Sequence, residues 1–132
     1  MANVENVENK KVFGCGEDWS NQIICGEDLS EKDLHGINFS GSIIRFCNLK
    51  SCNLRGAYLT NCKIEFSDLS CVNLSCADLS GATLSYCKMG WINLSGADLS
   101  FARINYTYLD GGDIVGANMT GLTLNETKLR IW

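Results

Sequence analysis

The chain has 132 residues, of which 45% are hydrophobic and 20% charged, and its formal net charge is −4. This composition is that of a soluble globular domain with enough residues for one core, and no apolar run is long enough to span a bilayer. Proline is absent whereas glycine occurs 13 times, so a chain rich in turns must form them without proline.

The N-terminal stretch MANVENVENKK comes before any repeat. It lacks the apolar centre of a secretory signal peptide, so we expect the protein to stay in the cytoplasm. We assign residues 1–21 to a non-repeat N-terminal segment and cap, and residues 22–132 to a single repeat domain.

The repeat is five residues long. An apolar residue occupies every fifth position from Ile24 to Leu129, 22 positions in all, without an insertion. A helix buries about one residue in 3.6 and a strand about every second one, so the spacing fits neither element. We predict that this run forms the core column, which includes Leu74, Leu79, Leu84, Leu94 and Leu99.

A second column lies two residues before each of these positions. From Ile37 to Thr127 it contains 19 residues, mostly Ala, Cys, Ser, Thr and Val, and none is charged. The residue between the two columns is often Asp or Asn, and the residue after the large apolar one is often Ser or Thr. Each five-residue unit therefore has one large and one small inward position.

The units GADLS, ANMTG and CVNLSCADLSGATLS resemble the A-[DN]-L-x-x motif of pentapeptide-repeat proteins, over about four-fifths of the chain. The resemblance implies an all-β fold, a right-handed quadrilateral β-solenoid with one unit on each side and about 20 residues in each coil. Ile24 to Leu129 would then form five to six coils, stacked about 4.8 Å apart as neighbouring strands are.

A coil of this length sorts the corner residues into columns. Two columns are mostly glycine, which suits corners with positive φ, as in type II turns; they contain Gly36, Gly56, Cys76, Gly96 and Gly116, and Gly41, Asn61, Gly81, Phe101 and Gly121. A third column contains Phe46, Phe66, Tyr86 and Tyr106. Bulky residues are unfavourable at positive φ, so we expect a different turn at this corner.

The third column is the candidate interaction stripe. Rings stacked at coil spacing would form an exposed apolar stripe with Arg45, Glu65 and Arg103 near it, and such stripes often mark interaction surfaces. The alternative is that the rings only stack on one another and shield the backbone of the corner.

The two ends differ from the middle. The first coil has polar residues at its small inward positions, which are costly to bury; they are Glu17, Gln22, Glu27 and Lys32. We therefore predict a polar end cap in which Trp19 and Ile23 plug the opening. At the other end, Trp132 is in phase with the small inward column. It is predicted either to cap a monomer or to seal a weak end-to-end homodimer.

Charge separates the functional alternatives. Residues 1–35 carry eight acids and three bases, net −5, and residues 36–132 carry seven acids and eight bases, net +1. The resemblance offers one alternative function, because some pentapeptide-repeat proteins mimic DNA and occupy DNA gyrase. A DNA mimic needs dense negative charge along its length, and direct nucleic-acid binding needs a basic stripe. The repeat region has neither.

Catalysis, cofactors and metals have little support. The only histidine, His35, falls at an outward position, and a nucleophile needs a nearby base and an orienting group. The aspartates between the two columns are expected to bond the local backbone; they are Asp68, Asp78, Asp98 and Asp113. We predict no enzymatic activity, no catalytic residue, no cofactor and no metal.

The eight cysteines fit free thiols in a reducing compartment. Cys47, Cys52, Cys62 and Cys87 fall at small inward positions, while Cys71 and Cys76 point outward. No C-x-x-C occurs, so a zinc site is not expected, and pairing of Cys15 with Cys25 stays open. The sequence thus favours a non-catalytic scaffold that binds an unidentified protein partner, without nucleic acid or membrane. The resemblance adds no specific role, because many pentapeptide-repeat proteins, especially the abundant cyanobacterial ones, have no known biochemical role.

Overall fold

The computed structural model of the protein describes residues 11–131. They form one quadrilateral β-solenoid of about five coils, in which paired residues are parallel and twenty positions apart, as Ile24 and Ile44 are, except at an irregularity where Gly112 pairs with Ile131. The predicted fold class is confirmed. Within the described range there is no helix, and so none that is long and apolar enough to cross a membrane.

Eight short strands contribute to the coils. They are β1 (Ile23–Cys25), β2 (Ile43–Arg45), β3 (Lys63–Glu65), β4 (Thr83–Ser85), β5 (Arg103–Asn105), β6 (Tyr108–Gly112), β7 (Thr123–Asn125) and β8 (Lys128–Ile131). Six of them form one parallel sheet in the order β1-β2-β3-β4-β5-β7, and β6 pairs with β8. Elsewhere the coils are joined by single-residue bridges such as that between Asn53 and Asn73.

The strands are short because a corner follows every five residues. At the glycine corners the turn is closed by a backbone hydrogen bond, for example from the Ala77 N–H to the Leu74 carbonyl at 3.1 Å. The corner residue has positive φ, from 65° at Gly56 to 73° at Gly116, which is consistent with a type II turn. The positive φ predicted for the two glycine columns is therefore confirmed, and it extends to their non-glycine members Asn61, Cys76 and Phe101.

Neighbouring coils satisfy each other's backbone groups. The Leu74 N–H donates to the Asn93 carbonyl in the next coil at 2.7 Å, and the Asn73 N–H donates to the Cys52 carbonyl in the previous coil at 3.0 Å. Consecutive residues thus bond in opposite directions along the axis. The interior backbone is paired on both sides, as a buried backbone requires.

The core runs along the axis of the solenoid. The five core leucines, Leu74, Leu79, Leu84, Leu94 and Leu99, are at most 1% exposed, and so are the alanines of the small column at positions 57, 77, 82, 97 and 102. Large and small side chains alternate around each coil. This alternation lets four sides close around a filled interior.

Phe13 closes the N-terminal end of the solenoid. It is 8% exposed, and its ring centroid lies 4.2 Å from that of Trp19 and 6.2 Å from that of Phe39. The Glu17 carboxylate accepts hydrogen bonds from the Trp19 indole N–H at 2.9 Å and the Gly14 N–H at 3.1 Å. Trp19 thus lies at this end, beside a plug that the five-residue pattern does not include.

Ile23 is not part of the plug. Its side chain is 66% exposed, because residues alternate between the two faces of β1 and the middle residue, Ile24, takes the inward position. Pairing with the second coil begins upstream of this strand, with the Gly16 N–H donating to the His35 carbonyl at 3.0 Å and a bridge between Asp18 and Asn38. Coil geometry therefore reaches further toward the N terminus than the predicted start at residue 22.

The C-terminal end is less well covered. The inward residues of the last coil are only half-buried at Ile114 and Met119, and Leu124 and Leu129 are 40% and 43% exposed. Trp132 lies outside the described residues, so its predicted role as a cap stays a prediction. An apolar end of the core faces outward within residues 11–131.

Candidate functional site

Four aromatic side chains stack along one edge of the solenoid. We call Phe46, Phe66, Tyr86 and Tyr106 the aromatic ladder. Successive ring centroids are 5.2, 4.9 and 4.9 Å apart, and neighbouring rings are within 10° of parallel. Each ring is still 43–57% exposed. The rings therefore stack on one another, as one alternative predicts, and they also present a continuous apolar edge, so their role as an interaction surface stays a prediction.

The backbone beneath the ladder corrects one expectation. All four ladder residues have positive φ, between 51° and 55°, although their bulk was expected to exclude it. Each ladder N–H donates to a carbonyl in the next coil, for example Tyr86 to Asn105 at 3.0 Å. These bonds fix the ring-bearing residues at coil spacing, where adjacent rings gain the contact energy of stacking. The hydrogen bonds between coils and the stacking of the rings together outweigh the unfavourable energy of positive φ for a bulky residue.

The turn at this corner does differ from the glycine corners. At two ladder corners the N–H of the residue after the ring does not close the turn on its own coil but donates to a hydroxyl of the next coil: Cys47 to Ser67 Oγ at 3.1 Å and Cys87 to Thr107 Oγ1 at 3.3 Å. Ser67 Oγ in turn donates to the Glu65 carbonyl at 2.9 Å. The corner is therefore open and held by side chains.

The need for a hydrogen-bonding side chain at this corner explains the residue types of one inward column, which the sequence pattern identifies only as small. The inward residues after the four ladder positions are Cys47, Ser67, Cys87 and Thr107, and Thr127 continues the column after Glu126; all five have a hydrogen-bonding side chain. The Cys87 thiol, for example, lies 3.4 Å from both the Ser85 and the Ile64 carbonyl oxygens, and its single S–H can donate to either. The signal in the sequence was the restriction of this column to Cys, Ser and Thr, whereas another inward column is mostly alanine.

A groove runs beside the ladder. Its volume is about 480 Å³, and it is lined by Phe46, Phe66 and Tyr86 of the ladder together with buried Cys47 and Ser67. Its outer rim consists of Asn48, Asp68 and Lys88, which lie one above another in successive coils. The surface thus combines aromatic lining residues with a rim that contains one negative, one positive and one neutral polar group.

The rim aspartate is ionised at neutral pH. Partial burial raises the pKa of Asp68, but the hydrogen bonds from Ser70 and the charges of Lys88 and Lys50 outweigh this effect, so the pKa lies below its usual value. The Ser70 N–H donates to Asp68 Oδ1 at 2.9 Å. The rim therefore offers a fixed carboxylate and a nearby ammonium group to a bound molecule.

Charged residues also flank the opposite side of the ladder. Arg45 Nε lies 3.8 Å from Glu65 Oε2, and the Arg45 guanidinium lies 5.7 Å from the centroid of Phe46. Both side chains are partly exposed, so this pair is weak in water. Of the three charged residues predicted near the rings, Arg45 is the one over a ring.

The outward aspartates have a structural role, as predicted. Asp68, Asp78, Asp98 and Asp113 each accept a hydrogen bond from the backbone N–H two residues later, at 2.9–3.0 Å. Asparagine does the same at equivalent positions, for example Asn73 with Ser75. These carboxylates cap turns.

His35, Asp33 and Cys15 meet at an exposed corner of the first two coils. His35 Nδ1 lies 2.9 Å from Asp33 Oδ1, and the Cys15 thiol donates to the Asp33 carbonyl at 3.1 Å. The Cys15 thiol is hydrogen-bonded to a backbone carbonyl and not to the His35 imidazole. The pair therefore lacks the contact between nucleophile and base that covalent catalysis uses.

All eight cysteines are free, and they fall into two groups. Cys15, Cys25, Cys71 and Cys76 are exposed, whereas Cys47, Cys52, Cys62 and Cys87 are buried. Burial raises the pKa of Cys52 and of Cys62 to about 12 and that of Cys87 to about 11. The buried thiols are thus unreactive at neutral pH, and Cys15 and Cys25 do not pair.

The model of the family "Pentapeptide repeats" matches the chain in eight copies, over residues 28–56, 47–85, 57–96 and 92–130. No curated protein matches the chain. Among solved structures, the pentapeptide repeat protein Rfr23 of the cyanobacterium Cyanothece 51142 is 21% identical with a TM-score of 0.63, and the alignment covers 97% of each chain.

Two further structures are similar in fold. A pentapeptide repeat protein from the Arabidopsis thaliana thylakoid lumen is 28% identical with a TM-score of 0.53, over 88% of this chain and 73% of that one. A trypsin-treated form of QnrB1, a plasmid-mediated fluoroquinolone resistance protein, is 17% identical with a TM-score of 0.51, over 80% of this chain and 72% of that one. At 17% and 21% identity, the likeness concerns the fold alone.

Proposed function

The chain belongs to the pentapeptide-repeat family, and from that premise we propose that it is a non-catalytic scaffold that binds a partner protein through the aromatic ladder and the groove beside it. The proposal rests mainly on one observation: four rings form an unbroken stack, and each remains 43–57% exposed. An exposed apolar edge of this kind is typical of an interaction surface.

The composition of the surface fits a protein partner. Aromatic residues are enriched in the centres of protein interfaces, and polar residues in their rims. Here the rings would contact apolar side chains of the partner, while Asn48, Asp68 and Lys88 would pair with polar groups at the edge. Because the coil backbone holds the rings in place, binding would cost little conformational entropy.

The coils do not favour the alternative function as a DNA mimic that binds gyrase. Residues 36–132 carry seven acids and eight bases, so their net charge is +1. A mimic of duplex DNA needs negative charge along its whole length. We expect no inhibition in a gyrase supercoiling assay, and concentration-dependent inhibition would support the mimic and contradict the scaffold.

Two variants test the ladder. Phe66→Ser with Tyr86→Ser removes the two central rings, and Ser51, whose φ is 59°, indicates that serine tolerates positive φ in this solenoid. The matched control is Trp91→Ser with Phe101→Ser, which removes two exposed aromatics with φ of 57° from other corners. Equal far-ultraviolet circular dichroism of the three proteins would establish that all are folded.

The readout is capture of a partner from an extract of the source cells, with identification by mass spectrometry. We expect a protein that is bound by the wild type and by the control but lost, by about tenfold or more, from the ladder variant. Equal capture by the ladder variant and the control would contradict the assignment of the surface.

A weak end-to-end homodimer is also part of the proposal. The support is the apolar end of the last coil, where Leu124 and Leu129 are 40% and 43% exposed, although one coil presents a small area beside ordinary interfaces. Sedimentation at several protein concentrations, with and without Ile131 and Trp132, would measure the association. A dimer that survives this deletion would exclude a seal formed by those two residues.

Free thiols support a cytoplasmic location. All eight cysteines are unpaired and four are exposed, which suits a reducing compartment. Fractionation of the source cells would check this, and recovery of the protein in an oxidising compartment with disulfides would contradict it.

A further inference from the structure

We propose that Cys15, Asp33 and His35 bind one Zn²⁺ ion at an exposed corner of the first two coils. The thiol, the carboxylate and the imidazole each offer one ligand atom, and these three atoms all lie within 4.8 Å of one another. The site lies near the N-terminal end of the solenoid, at a different corner from the aromatic ladder.

Coil stacking brings the three residues together. Cys15 and His35 are twenty residues apart, so they occupy the same corner in successive coils, as the 3.0 Å hydrogen bond from the Gly16 N–H to the His35 carbonyl shows. Asp33 lies two residues before His35 and forms hydrogen bonds with both other residues. Its Oδ1 lies 2.9 Å from His35 Nδ1, and its backbone carbonyl oxygen lies 3.1 Å from Cys15 Sγ. A search for C-x-x-C motifs cannot find such a site, because its spacing is that of the coil.

The donor set suits zinc. Thiolate sulfur, imidazole nitrogen and carboxylate oxygen are its usual protein ligands, and a tetrahedral ion with bonds of about 2.0–2.3 Å separates its ligand atoms by roughly 3.3–3.6 Å. Small rotations of exposed side chains would bring the three atoms from within 4.8 Å to this spacing. Water would fill the fourth position.

The surroundings set the strength of the site. The side chains of His35 and Asp33 are 57% and 61% exposed, so an ion can reach the ligands directly from solvent. Asn53 Nδ2 donates to Asp33 Oδ1 at 3.0 Å, which holds the carboxylate in place as an outer-shell partner does. On binding, the Cys15 thiol would lose its proton to solvent and the ion would replace the His35–Asp33 hydrogen bond.

The other exposed cysteines provide the matched control. Cys76 occupies the same kind of exposed corner, but its neighbours in the adjacent coils are Gly56 and Gly96, which have no ligand atoms in their side chains. Cys76→Ser therefore removes a surface thiol without touching the proposed site, whereas Cys15→Ser and His35→Asn each remove one ligand.

The test is metal binding by the whole chain, reduced with a phosphine that contains no thiol. Zn²⁺ uptake would be measured by calorimetry, and Co²⁺ would serve as a spectroscopic probe because a thiolate ligand gives a charge-transfer absorption. We expect one ion per chain in the wild type and in Cys76→Ser, with an absorption that is lost in Cys15→Ser. Affinity should fall by about tenfold or more in Cys15→Ser and in His35→Asn.

Thermal unfolding provides a second readout, because an ion that binds only the folded state raises Tm. The increase with Zn²⁺ should occur in the wild type and in Cys76→Ser, and should be reduced in the two ligand variants. Failure of the wild type to bind in a saturable manner, or equal binding by Cys15→Ser, would overturn the proposal.

Discussion

Positive φ at the corners does not depend on the type of residue. Among the described residues, glycines adopt it at the corners, but so do Glu31, Ser51, Trp91 and all four residues of the aromatic ladder. An L-residue in this region costs about 1–2 kcal/mol, and the stacked coils supply compensating backbone hydrogen bonds. The two glycine columns therefore predicted positive φ correctly, whereas bulky residues at the ladder corner did not predict its absence.

The reactivity of the thiols gives a test at the residue scale. At about pH 8, a small thiol reagent should modify Cys15, Cys25, Cys71 and Cys76 in the native protein, because these four are exposed. The other four should react only after denaturation, since burial raises the pKa of Cys62, for example, to about 12. Mass spectrometry of the labelled protein would count the adducts. Native labelling of Cys62 would contradict its inward position.

The turn-capping aspartates predict how stability depends on pH. Hydrogen bonds from Ser30 and from Ser100 hold the pKa of Asp28 and of Asp98 below the ordinary value of 3.8. A carboxyl with a lowered folded-state pKa contributes stability above its unfolded pKa, and this contribution is lost as the pH falls through the folded pKa. Tm should therefore fall upon acidification below about pH 4.

Asp28→Asn with Asp98→Asn provides the matched comparison. Asparagine keeps the acceptor oxygen but does not titrate, so the double variant should lose less Tm between about pH 5 and pH 2 than the wild type. An equal loss in the two proteins would show that these carboxylates do not contribute to the acid sensitivity.

At the scale of the repeating unit, most of the architecture could be predicted from the sequence. The unbroken column from Ile24 to Leu109 is buried as expected. Each side of a coil turns only one of its faces toward the core, and a large apolar side chain can be buried only on that face. Phe13 could not be predicted, since it lies outside the five-residue phase. The open turn at the ladder was also hidden, because its hydrogen bonds come from side chains of the next coil.

A charge in the core should be far more damaging than a change on the surface. Leu74→Asp or Ala77→Asp would place an unpaired carboxylate at positions that are at most 1% exposed, at a cost of several kcal/mol. Asp78→Asn should be nearly silent, because asparagine accepts the equivalent turn bond at Asn73. Urea unfolding would measure the three variants, and equal tolerance of all three would show that the inward assignment is wrong.

At the scale of the whole molecule, the solenoid is a series of coils whose contacts are made only with their neighbours. Stability is then a sum over coils and the contacts between them. The N-terminal coil is closed by Phe13, but the last coil leaves Leu124 and Leu129 partly uncovered. The two ends are thus not equivalent, and we expect the C-terminal coil to be the less stable one.

Two leucines of one column measure this difference. Leu84 is fully buried in the middle of the solenoid, and Leu124 occupies the same column two coils later but is 40% exposed. Leu84→Ala should cost about 2–5 kcal/mol of unfolding free energy, and Leu124→Ala clearly less. Equal losses would indicate that something covers the C-terminal end in solution.

The spacing of twenty residues between paired positions throughout the six-stranded sheet has a consequence for how such a molecule changes over evolutionary time. A stretch of the gene that encodes twenty residues therefore encodes one complete coil. Every such stretch starts at the same position of the repeat as the next one. Unequal recombination between the gene segments that encode two coils would then insert or remove one whole coil without changing the register of the other coils. The length of the rod, and with it the number of rings on the ladder, becomes a heritable quantity that changes in discrete steps.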